Sequence, residues 1–197
     1  MNLSGDRCEE VTIIHSASIL QVFAASVLLC ALTACARADV IRGRVVGIAD
    51  GDTITVLDTA RSRHRIRLQG IDAPERRQAF GARSKQHLSH LVFDREVSVE
   101  WEKRDQYGRV LGKVLIGGRD ACLEQVRAGM AWHYKYYENE QSPADRRLYA
   151  DAERGARAAR RGLWSDPDPV PPWDFRRGGS GSSPSLINST SAASRFC

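Results

Sequence analysis

From Val40 onward, the hydrophobic residues of this chain come in short runs that are separated by turn-forming residues. In one of these runs, Ile66 and Leu68 alternate with Arg65 and Arg67, so the two pairs lie on opposite faces of an extended chain. The alternation predicts a strand with one buried face and one basic face. Similar runs predict five strands in total, at residues 40–48, 53–57, 63–69, 97–101 and 110–116.

Helix signals interrupt this series of strands and then follow it. One helix is predicted at about residues 74–91 and a short second one at residues 123–128. A third helix is predicted after Ser142, which has the side chain of an N-cap and precedes Pro143 at the first helical position. Five short strands with late helices predict an α+β, mainly β, fold: a five-stranded OB-like barrel with three helices.

Both ends of the chain differ in composition from this middle part. Residues 166–197 contain closely spaced prolines and then a Gly/Ser-rich run, which together bury too little apolar surface to offset their ordering entropy. Residues 11–36 contain no Asp, Glu, Lys or Arg, as is typical of an export signal. We therefore predict a signal peptide at residues 1–38, a globular domain at residues 39–165 and a flexible tail at residues 166–197.

Two processing sites overlap at the end of the predicted signal peptide. Ala36-Arg37-Ala38 is a small-x-small cleavage site, whereas Leu32-Thr33-Ala34-Cys35 resembles a bacterial lipobox with Cys35 as the lipid attachment point. The sequence leaves both open, as it does an uncleaved membrane anchor or a buried helix at residues 11–36. The protein is therefore expected to be exported, and to be periplasmic, secreted or lipid-anchored at the cell envelope.

Composition and charge narrow the class of protein. Of the 197 residues, 27% are charged and 42% are hydrophobic, which is typical of a globular protein and not of a disordered or membrane-embedded one. The formal net charge is +5, and removal of residues 1–38 makes the chain more basic still, which favours a polyanionic partner. Cys122 and Cys197 remain after that removal, and the sequence leaves open whether they form a disulfide.

Polar residues that could carry chemistry fall into clusters between the predicted elements. Each cluster has a purely structural interpretation when it is considered alone, as a hairpin turn or a helix cap. Together they supply the groups that phosphodiester hydrolysis requires, namely ligands for a cation, a proton acceptor for water and donors to the transition state. The clusters are Asp50-Gly51-Asp52-Thr53, Arg67, Asp72-Ala73-Pro74-Glu75 and Arg104-Asp105-Gln106-Tyr107-Gly108-Arg109.

The chemistry of these side chains suggests a role for each of them. Asp52 and Asp72 offer hard oxygen ligands of the kind that Ca²⁺ prefers. The histidines and cysteines do not cluster at the spacing of a zinc site. Glu75 is a candidate general base. Arg67 and Arg109 can each donate two hydrogen bonds to a phosphate and stay charged in any environment.

In identity, order and approximate spacing, these residues resemble the motifs of the staphylococcal nuclease (thermonuclease) family. The resemblance covers about residues 40–164 and rests on Asp50-Gly51-Asp52-Thr53, the run from Ile66 to Glu75, and Asp105-Gln106-Tyr107-Gly108-Arg109. It implies a five-stranded OB-like barrel and a Ca²⁺-dependent endonuclease that cuts DNA and RNA to 3′-phosphate products. We expect the protein to act as a monomer.

The resemblance also implies roles for individual positions. Asp52 and Asp72 would bind Ca²⁺ through their carboxylates and Ala73 through its backbone carbonyl, with Asp50 in the outer shell of ligands. A general base and two phosphate-binding arginines would complete the site. These catalytic positions are Glu75, Arg67 and Arg109.

Two questions stay open from the sequence alone. Tyr107 and Tyr137 are candidates for contact with a base or sugar, because an aromatic face stacks on any base, but ordinary packing would also account for them. The second question is whether the domain is a non-catalytic nucleic-acid-binding module, tethered to the membrane through Cys35 or residues 11–36. Such modules usually lack part of the carboxylate and arginine set, which is complete here, so catalysis is favoured.

Overall fold

The computed structural model describes residues 39–178, so the predicted signal peptide lies outside the described residues. Two short 3₁₀ helices, Lys135–Glu140 and Gly162–Ser165, accompany the main elements. In chain order these are β1 (Asp39–Ile48), β2 (Thr53–Asp58), β3 (Arg63–Leu68), β4 (Ile71–Asp72), α1 (Gly81–Val92), β5 (Glu96–Arg104), β6 (Val110–Ile116), β7 (Arg119–Asp120), α2 (Ala121–Arg127), β8 (Trp132–His133), α3 (Pro143–Ala158) and α4 (Pro172–Gly178).

The five long strands close into a barrel. Antiparallel pairs join β3 to β2, β2 to β1, β1 to β5 and β5 to β6. A parallel pairing between β3 and β6, with Arg67 opposite Leu111, then closes the sheet on itself. Closure removes the free edges of the sheet, and the predicted five-stranded OB-like barrel with helices is confirmed.

The barrel interior is filled by the apolar face of each strand. On β3, Ile66 and Leu68 are at most 1% exposed, while Arg65, which precedes them, is exposed and Arg67, between them, is half-buried. The alternation predicted from the sequence is therefore present in the strand. Leu88 and Val92 of α1 cover one end of this core. A second apolar cluster lies outside the barrel and contains Trp132, Ala156, Leu163 and Trp164, with Phe80 and Trp173 packed against it.

The first helix starts later than the sequence predicts. Residues 74–80 form turns instead, in which the Gln78 N–H donates to the Glu75 carbonyl and the Gly81 N–H donates to the Gln78 carbonyl. Phe80 adopts a left-handed conformation with φ of 64°, which a helix cannot continue through. The helix therefore begins at Gly81, and Glu75 lies on a turn rather than in a first helical turn.

The other two predicted helices are present, and their caps explain their bounds. The helix expected at residues 123–128 begins at Ala121, because the Asp120 carboxylate accepts hydrogen bonds from the N–H groups of Cys122 and Leu123. In α3, the Ser142 hydroxyl accepts from the Asp145 N–H, as the N-cap pattern predicts.

The structure differs from the prediction at the start of the tail. Residues 166–178, expected to lie outside the fold, include α4, and Trp173 of that helix packs 5.6 Å from Trp132 between ring centroids. The apolar surface of Trp173 supplies the burial that the proline-rich composition does not suggest.

Cys122 is free and buried, and Cys197 lies outside the described residues. Within residues 39–178, no helix is long and apolar enough to cross a membrane.

Candidate functional site

Arg67, at the end of β3, is the centre of a charged cluster. Its guanidinium donates to the carbonyls of Leu68, at 3.2 Å, and Ile71, at 3.0 Å. It also lies 2.8 Å from Oδ1 of Asp72 and 3.0 Å from Oδ2 of Asp52. Only 13% of the arginine side chain is exposed. Two of the predicted cation ligands and one of the predicted phosphate-binding arginines therefore form a single buried group.

The Asp52 carboxylate is held in place by the backbone of the neighbouring cluster. The Ala73 N–H donates to its Oδ2 at 2.8 Å, and its own N–H donates to Oδ1 of Asp50 at 3.2 Å. Burial raises the pKa of Asp52 to about 7; Arg67 opposes this shift, and the charges of Asp50 and Asp72 add to it. Arg67 thus offsets only part of the cost of placing a negative charge on Asp52.

Glu75 lies at the rim of the same cluster. Its side chain is 40% exposed, and Gln78 Oε1 accepts a hydrogen bond from its N–H at 3.0 Å. Oε1 of Glu75 accepts a hydrogen bond of 2.7 Å from Arg176, and the same guanidinium is 2.7 Å from Oδ2 of Asp72. No sequence motif connects Arg176 with this site, because residue 176 lies in the predicted flexible tail.

Arg109 is positioned by the turn between β5 and β6. Asp105 Oδ1 accepts from the N–H groups of Tyr107 and Arg109, both at 2.9 Å, and its Oδ2 accepts from Nε of Arg109 at 2.7 Å. Burial raises the pKa of Asp105, but the hydrogen bonds from Arg109 and Tyr107 lower it by more, so the pKa lies below its usual value. The guanidinium of Arg109 also lies 5.5 Å from the ring centroid of Tyr107. Asp105 is thus a positioning residue for Arg109.

These groups line one cleft with a volume of about 560 Å³. Its size is that of a site for a nucleotide-sized ligand. Tyr107 and Tyr137, which are 75% and 50% exposed, lie along its wall, so the predicted candidates for base contact are in place. The sequence-predicted site residues in the cleft lining are Asp50, Asp52, Arg67, Asp72, Glu75, Tyr107, Arg109 and Tyr137. Ala73 is buried beside it and bonds to Asp52.

A buried amide that the sequence did not single out supports the Asp50-Gly51-Asp52 turn. Nε2 of Gln125, in α2, donates to the Gly51 carbonyl at 2.6 Å and to the Ser84 carbonyl at 3.2 Å. Its Oε1 pairs with the His87 ring. Gln125 and Ser84 are fully buried, so this network fixes the turn against α1 and α2.

Replacing Gly51 with Ala should destabilise the fold, because a Cβ there would lie 1.9 Å from Oγ of Ser84 and 2.7 Å from Cβ of Ala73. We expect a loss of about 1–3 kcal/mol in the free energy of unfolding, measured by urea denaturation. Gly47→Ala is the matched control, because its Cβ would be 3.5 Å from Thr55. Equal stability of the two variants would show that α1 does not pack tightly on this turn.

Among residues 39–178, no three Asp, Glu, His or Cys side chains are arranged to hold a metal ion. Two guanidinium groups contact the carboxylates instead: Arg67 bridges Asp52 and Asp72, and Arg176 bridges Asp72 and Glu75. The donor chemistry nevertheless fits a hard cation: every candidate ligand is an oxygen, and two of the carboxylates are buried next to each other.

Comparison with known proteins agrees with this geometry. The family described as "Staphylococcal nuclease homologue" matches residues 65–166. A micrococcal nuclease of Shigella flexneri is 44% identical over 170 residues, which cover 82% of this chain and 93% of that protein. Two uncharacterized endonucleases are also similar. The one from Escherichia coli is 44% identical, and the match covers 69% of this chain and 85% of that protein. The one from Haemophilus influenzae is 40% identical, and the match covers 74% of this chain and 78% of that protein. The chain therefore belongs to the staphylococcal nuclease family.

Proposed function

We propose that this protein is an exported, Ca²⁺-dependent nuclease that hydrolyses phosphodiester bonds of DNA and RNA and leaves 3′-phosphate ends. The proposal rests on one observation: Asp52, Asp72 and Glu75 lie in one cleft with the two family-motif arginines, Arg67 and Arg109. Family membership and the nuclease relatives support the reaction class. Export rests on the composition of residues 1–38, and the 3′-phosphate product rests on the resemblance of the site motifs to the family.

Asp52 and Asp72 would hold the cation through their carboxylates, with the Ala73 carbonyl as a third ligand and Asp50 outside them. Hard oxygen ligands at buried positions favour Ca²⁺ over zinc, which prefers nitrogen and sulfur. A bound Ca²⁺ would supply positive charge next to a phosphoryl oxygen. It would also favour the ionised form of Asp52, whose pKa is raised by burial and, to a smaller extent, by the charges of Asp50 and Asp72.

The remaining groups act on the substrate directly. Glu75, at the solvent-facing rim, would take a proton from a water as the water oxygen forms its bond to phosphorus. The bond from phosphorus to the 5′-oxygen breaks, and that oxygen takes a proton from solvent water and leaves as an alcohol, while Glu75 later releases its own proton to solvent. Arg67 and Arg109 would donate hydrogen bonds to the phosphoryl oxygens, where charge accumulates in the transition state.

The exposed tyrosines account for a substrate range that includes both DNA and RNA. Tyr107 and Tyr137 are exposed and line the cleft, and stacking on an aromatic ring tolerates any base and does not distinguish the sugar. Stacking on these rings requires unpaired bases, so we propose that single strands are the preferred substrates.

Incubation of the purified protein with a labelled single-stranded DNA, with Ca²⁺ or with chelator, tests the proposal. Degradation is expected only with Ca²⁺. A 3′-phosphate would be identified if a DNA polymerase extends the new 3′ ends only after phosphatase treatment. Cleavage that is indifferent to chelator would contradict the metal requirement. Salt-sensitive binding without cleavage in any divalent ion would instead identify a non-catalytic binding module.

A further inference from the structure

Helix α4 brings a further guanidinium, that of Arg176, into the cleft from a part of the chain that no site motif includes. Nη1 of Arg176 is 2.7 Å from Oε1 of Glu75 and 3.3 Å from Oδ1 of Asp72. Nη2 is 2.7 Å from Oδ2 of Asp72. One side chain thus engages both oxygens of a proposed cation ligand and one oxygen of the proposed general base.

The position of α4 does not depend on this ion pair alone. The ring of Trp173, in the same helix, lies 5.6 Å from that of Trp132 and 5.4 Å from that of Tyr134. Just before the helix, the Val170 carbonyl accepts a hydrogen bond of 2.6 Å from Nε2 of Gln78. These contacts hold the helix against the wall of the cleft and keep the Arg176 side chain within reach of the carboxylates.

Arg176 and a divalent cation would compete for the same atoms. A carboxylate has about four lone-pair positions, and Asp72 already accepts contacts from Arg67 at Oδ1 and from Arg176 at both oxygens. Asp72 is 1% exposed, so it cannot turn toward a ligand elsewhere. The Arg176 side chain is 46% exposed and can withdraw into solvent.

We propose that α4 is an autoinhibitory segment, in which Arg176 occupies the cation position at Asp72 and covers the proton-accepting oxygen of Glu75. The resting protein is then held inactive until a divalent cation displaces the guanidinium. This inference rests on the proposed function, since it takes Asp72 as a cation ligand and Glu75 as the base.

Calorimetric titration of the purified protein with Ca²⁺ tests the competition. Arg176→Ala should bind Ca²⁺ about tenfold more tightly than the unaltered protein, because the binding-competent form no longer has to be released from the ion pair. Arg177→Ala is the matched control. The Arg177 side chain is 76% exposed and, among residues 39–178, pairs only with Asp174, so its removal should leave the affinity unchanged. Circular dichroism would verify that each variant is folded.

A second variant loosens the helix without removing the arginine. Trp173→Ala deletes the ring that packs on Trp132 and Tyr134, and should also tighten Ca²⁺ binding, by a smaller factor than Arg176→Ala. Equal or weaker Ca²⁺ binding by Arg176→Ala, with normal binding by the unaltered protein, would overturn the inference and leave the proposed function standing. A fall in turnover of Arg176→Ala at saturating Ca²⁺ would overturn it too, by identifying Arg176 as a phosphate ligand. Absence of Ca²⁺ binding and of Ca²⁺-dependent cleavage in every variant would reject the proposed function itself.

Discussion

Glu75→Gln is expected to lose about two to four powers of ten in kcat while remaining as stable as the unaltered protein. The amide has the shape of the carboxylate but cannot accept the proton of the attacking water. Because the Glu75 side chain is 40% exposed and its ion-pair partner Arg176 is 46% exposed, little free energy of unfolding depends on the pair. The measurement is kcat on a single-stranded oligonucleotide at saturating Ca²⁺, together with the thermal unfolding midpoint.

Glu96→Gln provides the matched control for this change. Glu96 is an exposed glutamate that also pairs with an arginine, Arg44, and it is not part of the cleft lining. Its replacement should leave kcat unchanged. A positioned general base usually contributes about two or more powers of ten to the rate. If Glu75→Gln kept more than about a tenth of the turnover, Glu75 would therefore not be the general base.

Arg67→Ala is expected to be damaging in two ways. Turnover should fall by roughly 10²–10³, the usual effect of losing one donor to the transition state. In addition, the free energy of unfolding measured in chelator should fall by about 3–5 kcal/mol, since the change leaves two buried carboxylates, Asp52 and Asp72, without their shared partner. Ca²⁺ should restore part of this stability, because it would bind between the same carboxylates.

Two further variants separate charge from position. Arg65→Ala changes an exposed arginine on the same strand and should alter neither stability nor kcat by much. Arg67→Lys keeps the positive charge but cannot reproduce the fork that contacts Leu68, Ile71 and both carboxylates, so it should recover stability only in part. Unchanged stability of Arg67→Ala in chelator would mean that the carboxylates are not ionised together in the folded protein.

The barrel was predictable because each strand carries its own local signal. Alternation at Ile66 and Leu68 identifies the buried face of β3, and turn residues separate it from its neighbours. Strands β4 and β8 have only two residues each, which is too short for a periodic pattern, although their pairing places Asp72 opposite Trp132. Their existence depends on tertiary contacts that no local pattern records.

The chemistry at the site was predictable to the extent that it resides in motif residues. Arg67, Asp72 and Glu75 are close in sequence, and the structure brings them together with Asp52 and Arg109. Gln125 gave no signal, because a glutamine in a short helix looks like any solvated residue until its partners, Gly51 and Ser84, are known. Those partners are 74 and 41 residues away in the chain.

Composition misled at residues 166–178 for a specific reason. Several prolines close together and a following Gly/Ser-rich run are typical of an unstructured tail, yet one tryptophan, Trp173, offers enough apolar surface to dock a helix. Average composition does not register a single anchoring side chain. The contact that follows from it, between Arg176 and Asp72, was therefore beyond sequence reasoning.

The parallel pairing of β3 with β6 also determines when during synthesis the cleft can exist. Arg67 reaches its place opposite Leu111 only after more than forty further residues have left the ribosome and β6 has docked. Such a long-range pairing forms late, because loop closure must precede the contacts that reward it. A nascent or partly folded chain in which β6 has not yet docked therefore lacks the assembled cleft, because Arg109 and Leu111 are not yet beside Arg67.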